Sequence, residues 1–105
     1  MKPVPIAFLY FAGCPNSEPS FANLKAAIAE LNLDVELSVI EVKDSRQAAE
    51  VGFLGSPSIL VAGRDLETGR PPEGSSFSCR IYDIEGRRTG RLPKEYIKAR
   101  LSSLS

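Results

Sequence analysis

Residues 6–31, IAFLYFAGCPNSEPSFANLKAAIAEL, constrain the chain more than any other stretch. A continuous apolar run ends at Ala12-Gly13, and Cys14 follows at once. Phe21, Leu24, Ile28 and Leu31 then recur at intervals of three and four, with Ala26, Ala27 and Ala29 between them. That is the periodicity of an amphipathic helix, in a segment poor in β-branched residues. The expected local structure is a buried strand over Ile6–Phe11, bounded by Pro5 and Gly13, then a tight turn and a helix. The helix can begin at Pro15 or at Pro19, since proline is tolerated in a first turn. A start at Pro15 would make Pro19 a kink. Cys14 is expected to be exposed where unpaired N–H groups and the positive end of the helix dipole converge. Such a site favours a thiolate and makes the sulfur a nucleophile near neutral pH.

The stretch from Val35 to Val39 alternates strictly and continues apolar to Val42, which predicts a second strand. A strand, a helix and a strand within about 40 residues form a βαβ unit with parallel pairing and a right-handed crossover. Asp44 or Ser45 can cap a short helix over Arg46–Val51 that Gly52 stops. Ser56-Pro57 precedes a third strand, Ser58–Val61. Proline is permitted at a strand's first residue, and an X-Pro bond in such a turn can be cis. Ala62-Gly63 allows a tight hairpin into Arg64–Leu66. Glu67–Ser78 is a loop by composition, Cys79–Ile84 is strand-like, and Glu85-Gly86 makes a turn. A last helix starts between Gly90 and Pro93, with Tyr96, Ile97, Leu101 and Leu104 as its apolar face. No repeat or linker divides the chain, so residues 1–105 read as one domain.

Charge excludes some functions and leaves others open. Lys plus Arg and Asp plus Glu both number 13, so bulk charge favours neither nucleic acid nor an anionic membrane as partner. The last quarter is locally basic through Arg80, Arg87, Arg88, Arg91, Lys94, Lys98 and Arg100, which reads as a solvated face or a helix C-terminus. There is no histidine, which removes any Cys–His dyad and the commonest metal ligand. Phe11-Ala12-Gly13-Cys14 faintly resembles a lipoprotein cleavage box, but Pro3 and Pro5 interrupt a run already short for a signal sequence. No stretch approaches the ~20 apolar residues of a membrane span. A cytoplasmic location is therefore expected, where two cysteines are reactive or reduced rather than a structural staple. Tyr10, Phe11 and Phe53 read as core, and Asp34, Glu36 and Glu41 as the solvent side of a strand.

Three features coincide: the strand-turn-CPNS-helix unit, the run AAEVGFLGSPS before the third strand, and a β-hairpin followed by a C-terminal helix. Together they resemble the thioredoxin-like superfamily over nearly the whole chain, and its small thioredoxin- or glutaredoxin-like members in particular. The resemblance implies an α/β three-layer fold, βαβ then ββα, with a central mixed sheet of about four strands flanked by helices. It implies a thiol–disulfide oxidoreductase acting on protein or small-molecule thiols and disulfides. Cys14 matches the family's nucleophile, and Pro57 its cis-proline opposite that cysteine. Ser56 matches the residue whose backbone is offered to an extended substrate, and Pro15 and Asn16, between the paired motif positions, are implied to bind substrate with Ser56 and Pro57. The family's dithiol is CxxC, and Ser17 stands at the fourth position here. A mixed disulfide on Cys14 then has no resolving neighbour in the motif. Ser17 can instead donate a hydrogen bond to the thiolate, and either glutathione, another thiol or Cys79 resolves the intermediate.

Two arrangements are open for Cys79. If the chain turns back at Ala62-Gly63 through Arg64–Leu66, loop 67–78 can deliver Cys79 over Cys14, with Arg80 as added positive charge or mere surface charge. If Cys79–Ile84 pairs directly with the third strand, ~3.4 Å per residue carries Cys79 well beyond the ~7 Å between Cα atoms that a disulfide needs. The first is favoured. Besides the monothiol enzyme, two other readings stand. One is a non-catalytic interaction module that recruits a partner through the cis-proline groove. The other is a thiolate protein for soft ions such as mercury or copper(I), held by Cys14 and Cys79.

Overall fold

The computed structural model describes residues 3–104. Strand β1 (Val4–Tyr10) runs beside β2 (Val35–Glu41) in parallel, in register from Val4↔Val35 to Tyr10↔Glu41. Helix α1 (Ser17–Leu31) connects them, so the predicted βαβ unit is present. After α2 (Ser45–Val51), β3 (Ser58–Val61) pairs antiparallel with the other edge of β1. The chain turns at Ala62-Gly63, both with positive φ, into β4 (Arg64–Asp65). The result is a mixed four-stranded sheet in the order β2-β1-β3-β4.

Alternation along the strands sorts side chains into two layers. Ile6 and Phe8 of β1, with Ile59 and Val61 of β3, face Leu24 and Ala27 of α1 and Ile97 and Leu101 of α3 (Lys94–Leu104). Leu9 points the other way, onto Val42, Ala48 of α2 and Phe53. The fold is therefore α/β, with α1 and α3 on one face of the sheet and α2 on the other.

Boundaries depart from expectation where local geometry outweighs pattern. Strand β1 begins at Val4 and includes Pro5. Its missing N–H costs no ladder bond, because pairing with β3 starts only at Ile6 while the Pro5 carbonyl accepts from Ala62 N–H. Helix α1 begins at Ser17, not at Pro15 or Pro19, so Pro19 lies in the first turn and makes no kink. The segment Cys79–Ile84 is a strand only over β5 (Tyr82–Ile84), which pairs with an unforeseen strand, β6 (Arg87–Thr89), in a separate hairpin. The last helix begins at Lys94, with Ile97 N–H donating to Pro93 O.

The basic C-terminal quarter is not simply a solvated face. Lys94 and Lys98 of α3 reach Glu30 of α1 at 2.5 and 3.0 Å and hold its carboxyl below the usual carboxylate range. Arg100 donates to the carbonyls of Leu66 and Glu67. Arg80 is buried. Ser20 and Asn23 of α1 bind the Leu92 N–H and carbonyl at 3.0 and 2.8 Å, fixing the entry to α3. Among the described residues no helix is long and apolar enough to cross a membrane.

Candidate functional site

The end of β1, the start of α1 and the approach to β3 meet at one residue, Ser56. The Ser56-Pro57 peptide bond is cis. Ser56 is fully buried, and each of its polar groups is engaged within the chain. Its Oγ accepts from Phe11 N–H at 3.3 Å. Its N–H donates to Ser78 O at 2.8 Å, and its carbonyl accepts from Arg80 N–H at 3.0 Å. These two bonds make a parallel bridge between Ser56 and Cys79. The Ser56 carbonyl also faces Cys14, whose Sγ lies 3.8 Å away as a weak S–H donor.

One backbone carbonyl thus joins the segments that carry the two cysteines. Through it, the Cys14 sulfur and the Arg80 amide next to Cys79 lie within about 7 Å of each other. Both cysteines are free thiols. Of the two open arrangements, the observed one turns back at Ala62-Gly63 and returns the chain to the Pro57 end, which puts Cys79 beside Ser56.

Cys14 itself corrects the expectation of an exposed nucleophile: it is 7% exposed, whereas Cys79 is open to solvent. Segment 76–80 lies along 53–56. Ser76 N–H donates to Phe53 O at 2.8 Å, and the Phe77 ring stands edge-on to Phe11 at 5.7 Å and tilted against Phe53 at 6.5 Å. Phe53 is core as expected, but Phe11 and Tyr10 are only half-buried. Tyr10 lines an apolar groove of about 320 Å³ with Phe8, Ser17, Phe21 and Val39.

The Ser17 hydroxyl does not reach the sulfur. It donates to the Cys14 carbonyl at 2.9 Å, closing the first turn of α1, where Asn16 makes no side-chain cap bond. Ser17→Ala is therefore expected to cost about 0.5–1.5 kcal/mol of stability and to leave the Cys14 alkylation rate within about twofold. Urea melts and peptide mass mapping test the two halves. Pro15 is exposed beside Cys14. Asn16 lies against Gly90, whose missing Cβ leaves the room its amide occupies.

The residues that hold Cys79 in place carried no signal in the sequence. Arg80 is 9% exposed and forms a two-pronged pair with Asp65, Nη1–Oδ1 2.7 Å and Nη2–Oδ2 2.8 Å. It also donates to Glu67 at 3.1 Å and Ser58 Oγ at 3.3 Å, and stacks 4.4 Å over the Tyr82 ring. Burial is the largest single influence and works against its charge, but Asp65, Tyr82 and Glu67 together outweigh it and raise its pKa. Arg80 is thus neither free charge beside a thiol nor surface charge. Asp65 is 1% exposed and also accepts from the N–H groups of Glu67 and Thr68.

The Tyr82 hydroxyl donates to Pro57 O at 2.5 Å, and burial pushes its pKa well above that of a free phenol. The neutral phenol is favoured in the folded state, so this stabilisation is complete below the free-tyrosine pKa of about 10 and declines above it by up to ~1.4 kcal/mol per pH unit. Ionisation followed by ultraviolet absorbance should show Tyr82 titrating only as the protein unfolds. A Tyr82 that titrates like a free tyrosine in the folded protein would contradict this.

Among the described residues no group of three or more His, Cys, Asp or Glu is placed to hold a metal ion. The chain matches no protein-family model, no curated protein and no solved structure.

Proposed function

We propose that the chain is a thioredoxin-like thiol–disulfide oxidoreductase in which Cys14 is the nucleophile and Cys79 the resolving thiol. The observation that carries this reading is the shared Ser56 carbonyl, which accepts from Cys14 Sγ on one side and from the Arg80 amide beside Cys79 on the other. A cis-proline opening β3, a cysteine just before α1 and the order β2-β1-β3-β4 support the thioredoxin-like assignment. Ser17 serves the helix and not the sulfur, so resolution falls to Cys79 or to an external thiol such as glutathione.

The chemistry is that of thiol–disulfide exchange. A thiolate at Cys14 attacks one sulfur of a substrate disulfide, and the S–S bond breaks. The other half leaves as a thiolate that takes up a proton, while the attacked half stays on Cys14 as a mixed disulfide. Cys79, exposed and held alongside, attacks the Cys14 sulfur and releases that half as a thiol.

Burial of Cys14 supports a second reading, a module that binds partners without turnover. Timed iodoacetamide labelling of the native reduced protein, read at each cysteine by peptide mass, separates the two. The oxidoreductase reading predicts that Cys14 is labelled in the folded state at least as fast as Cys79, despite its lower exposure. If only Cys79 reacts and Cys14 waits for denaturant, the binding module is the better reading.

A further inference from the structure

A free backbone edge beside a reactive cysteine is what an extended peptide would use to dock, by adding main-chain hydrogen bonds. At Ser56 that edge is already taken. Its N–H and its carbonyl are both spent on Ser78 and Arg80, and the residue between them, Cys79, stands where an incoming peptide would present its own cysteine.

The occupant is not loosely held. Arg80 anchors it through the two-pronged Asp65 pair, Glu67 and Ser58, and the same residue's main-chain N–H is one of the two Ser56 bonds. Gly55 brings the two segments into close contact, since a Cβ there would lie 2.8 Å from Arg80 Cβ and 3.2 Å from Ser78 O. Lifting the segment would strip Asp65 of its counter-charge while that carboxylate is 1% exposed, a strongly unfavourable step. The residues flanking Cys14 in sequence are open. Ala12, Gly13 and Pro15 are exposed, and nothing lies within 4 Å of a Cβ built at Gly13.

We infer that segment 78–80 is a standing occupant of the Ser56 edge, so that Cys14 exchanges with small disulfides of glutathione size and excludes extended peptide disulfides. The inference rests on the oxidoreductase reading and names its substrate class. With glutathione disulfide as oxidant, the Cys14 thiolate attacks one sulfur and the S–S bond breaks. One glutathione leaves and takes up the proton Cys14 has lost. Cys79 then attacks the Cys14 sulfur, the second glutathione leaves with the Cys79 proton, and a Cys14–Cys79 disulfide remains. Two protein thiols are oxidised, and one disulfide is reduced to two thiols.

The test compares oxidation of the full reduced chain by glutathione disulfide and by a disulfide-linked dimer of a nine-residue peptide, following Cys14 by mass. The peptide is expected to react at least about tenfold more slowly with the unmutated protein. In Arg80→Met combined with Asp65→Asn, which removes both charges of the pair and orphans neither, that gap is expected to close to within about threefold. Equal rates with the unmutated protein overturn the inference, and this arm needs no variant to fold. A gap that persists in a folded double variant also overturns it, because the segment is then not the barrier. If neither disulfide oxidises Cys14, the oxidoreductase reading fails, and the substrate class falls with it.

Discussion

Gly55→Ala is expected to lower stability by about 2–4 kcal/mol and to expel segment 78–80 from the Ser56 edge. Gly55 sits at φ +116°, a conformation that a residue with a Cβ adopts only at a cost of roughly 1–3 kcal/mol. The added carbon would also meet Arg80 Cβ at 2.8 Å and the Arg80 Cα and Ser78 O at 3.2 Å. Backbone cannot yield as a flexible side-chain tip can, so relief comes by moving residues 78–80 away. A domain of this size loses about 4–8 °C of Tm per kcal/mol, so the shift should be plain in a thermal melt. Labelling of Cys14 should rise in the same variant as the segment that shares the Ser56 carbonyl departs. A loss under about 0.5 kcal/mol would mean that the contact between Gly55 and Arg80 is not a tight one.

Arg80→Met has the larger expected effect, a loss of about 3–5 kcal/mol, because it leaves Asp65 charged and buried without its partner. Methionine fills much of the space but offers Asp65, Glu67 and Ser58 no donor. Adding Asp65→Asn should return part of that loss, since the orphaned charge goes with it. Arg80→Lys should fall between the single variant and the unmutated protein. A lone ammonium keeps the charge but cannot bond both Asp65 oxygens in a fork while lying flat over Tyr82. Urea unfolding of the four proteins orders them. If Arg80→Met were as stable as the unmutated protein, Arg80 would not be what holds Cys79.

Much of the frame was legible in the residues. The apolar run after Pro5, the three-and-four spacing from Phe21 to Leu31 and the alternation from Val35 are periodic signals, and each gave its element. Pro57 as a cis-proline came from the family resemblance, whereas Gly52 as a helix stop and Ala62-Gly63 as a turn were readable because turns draw on few residue types. The helix start was not, since Pro15 and Pro19 are both compatible with a first turn. The bond from Ser20 N–H to Asn16 O marks where helical pairing begins.

The site was legible as a set of residues and not as an arrangement. Cys14 was named from local pattern, and Ser56 and Pro57 through the family resemblance, but neither the burial of Cys14 nor the Ser56 carbonyl it shares with the Arg80 amide has a local signal. Arg80 looked like one basic residue among seven. Its pairing with Asp65 has no period and no motif, and only the return of the chain through β4 brings the two together.

The proposal that Cys14 and Cys79 act as one dithiol is tested most directly by a non-reducing peptide map. The reduced chain is titrated with glutathione disulfide, quenched with acid and digested. The proposal predicts a Cys14–Cys79 linked peptide as the dominant oxidised product, with glutathione-bound Cys14 as its transient precursor. Glutathione accumulating on Cys79 while Cys14 remains a free thiol would contradict it.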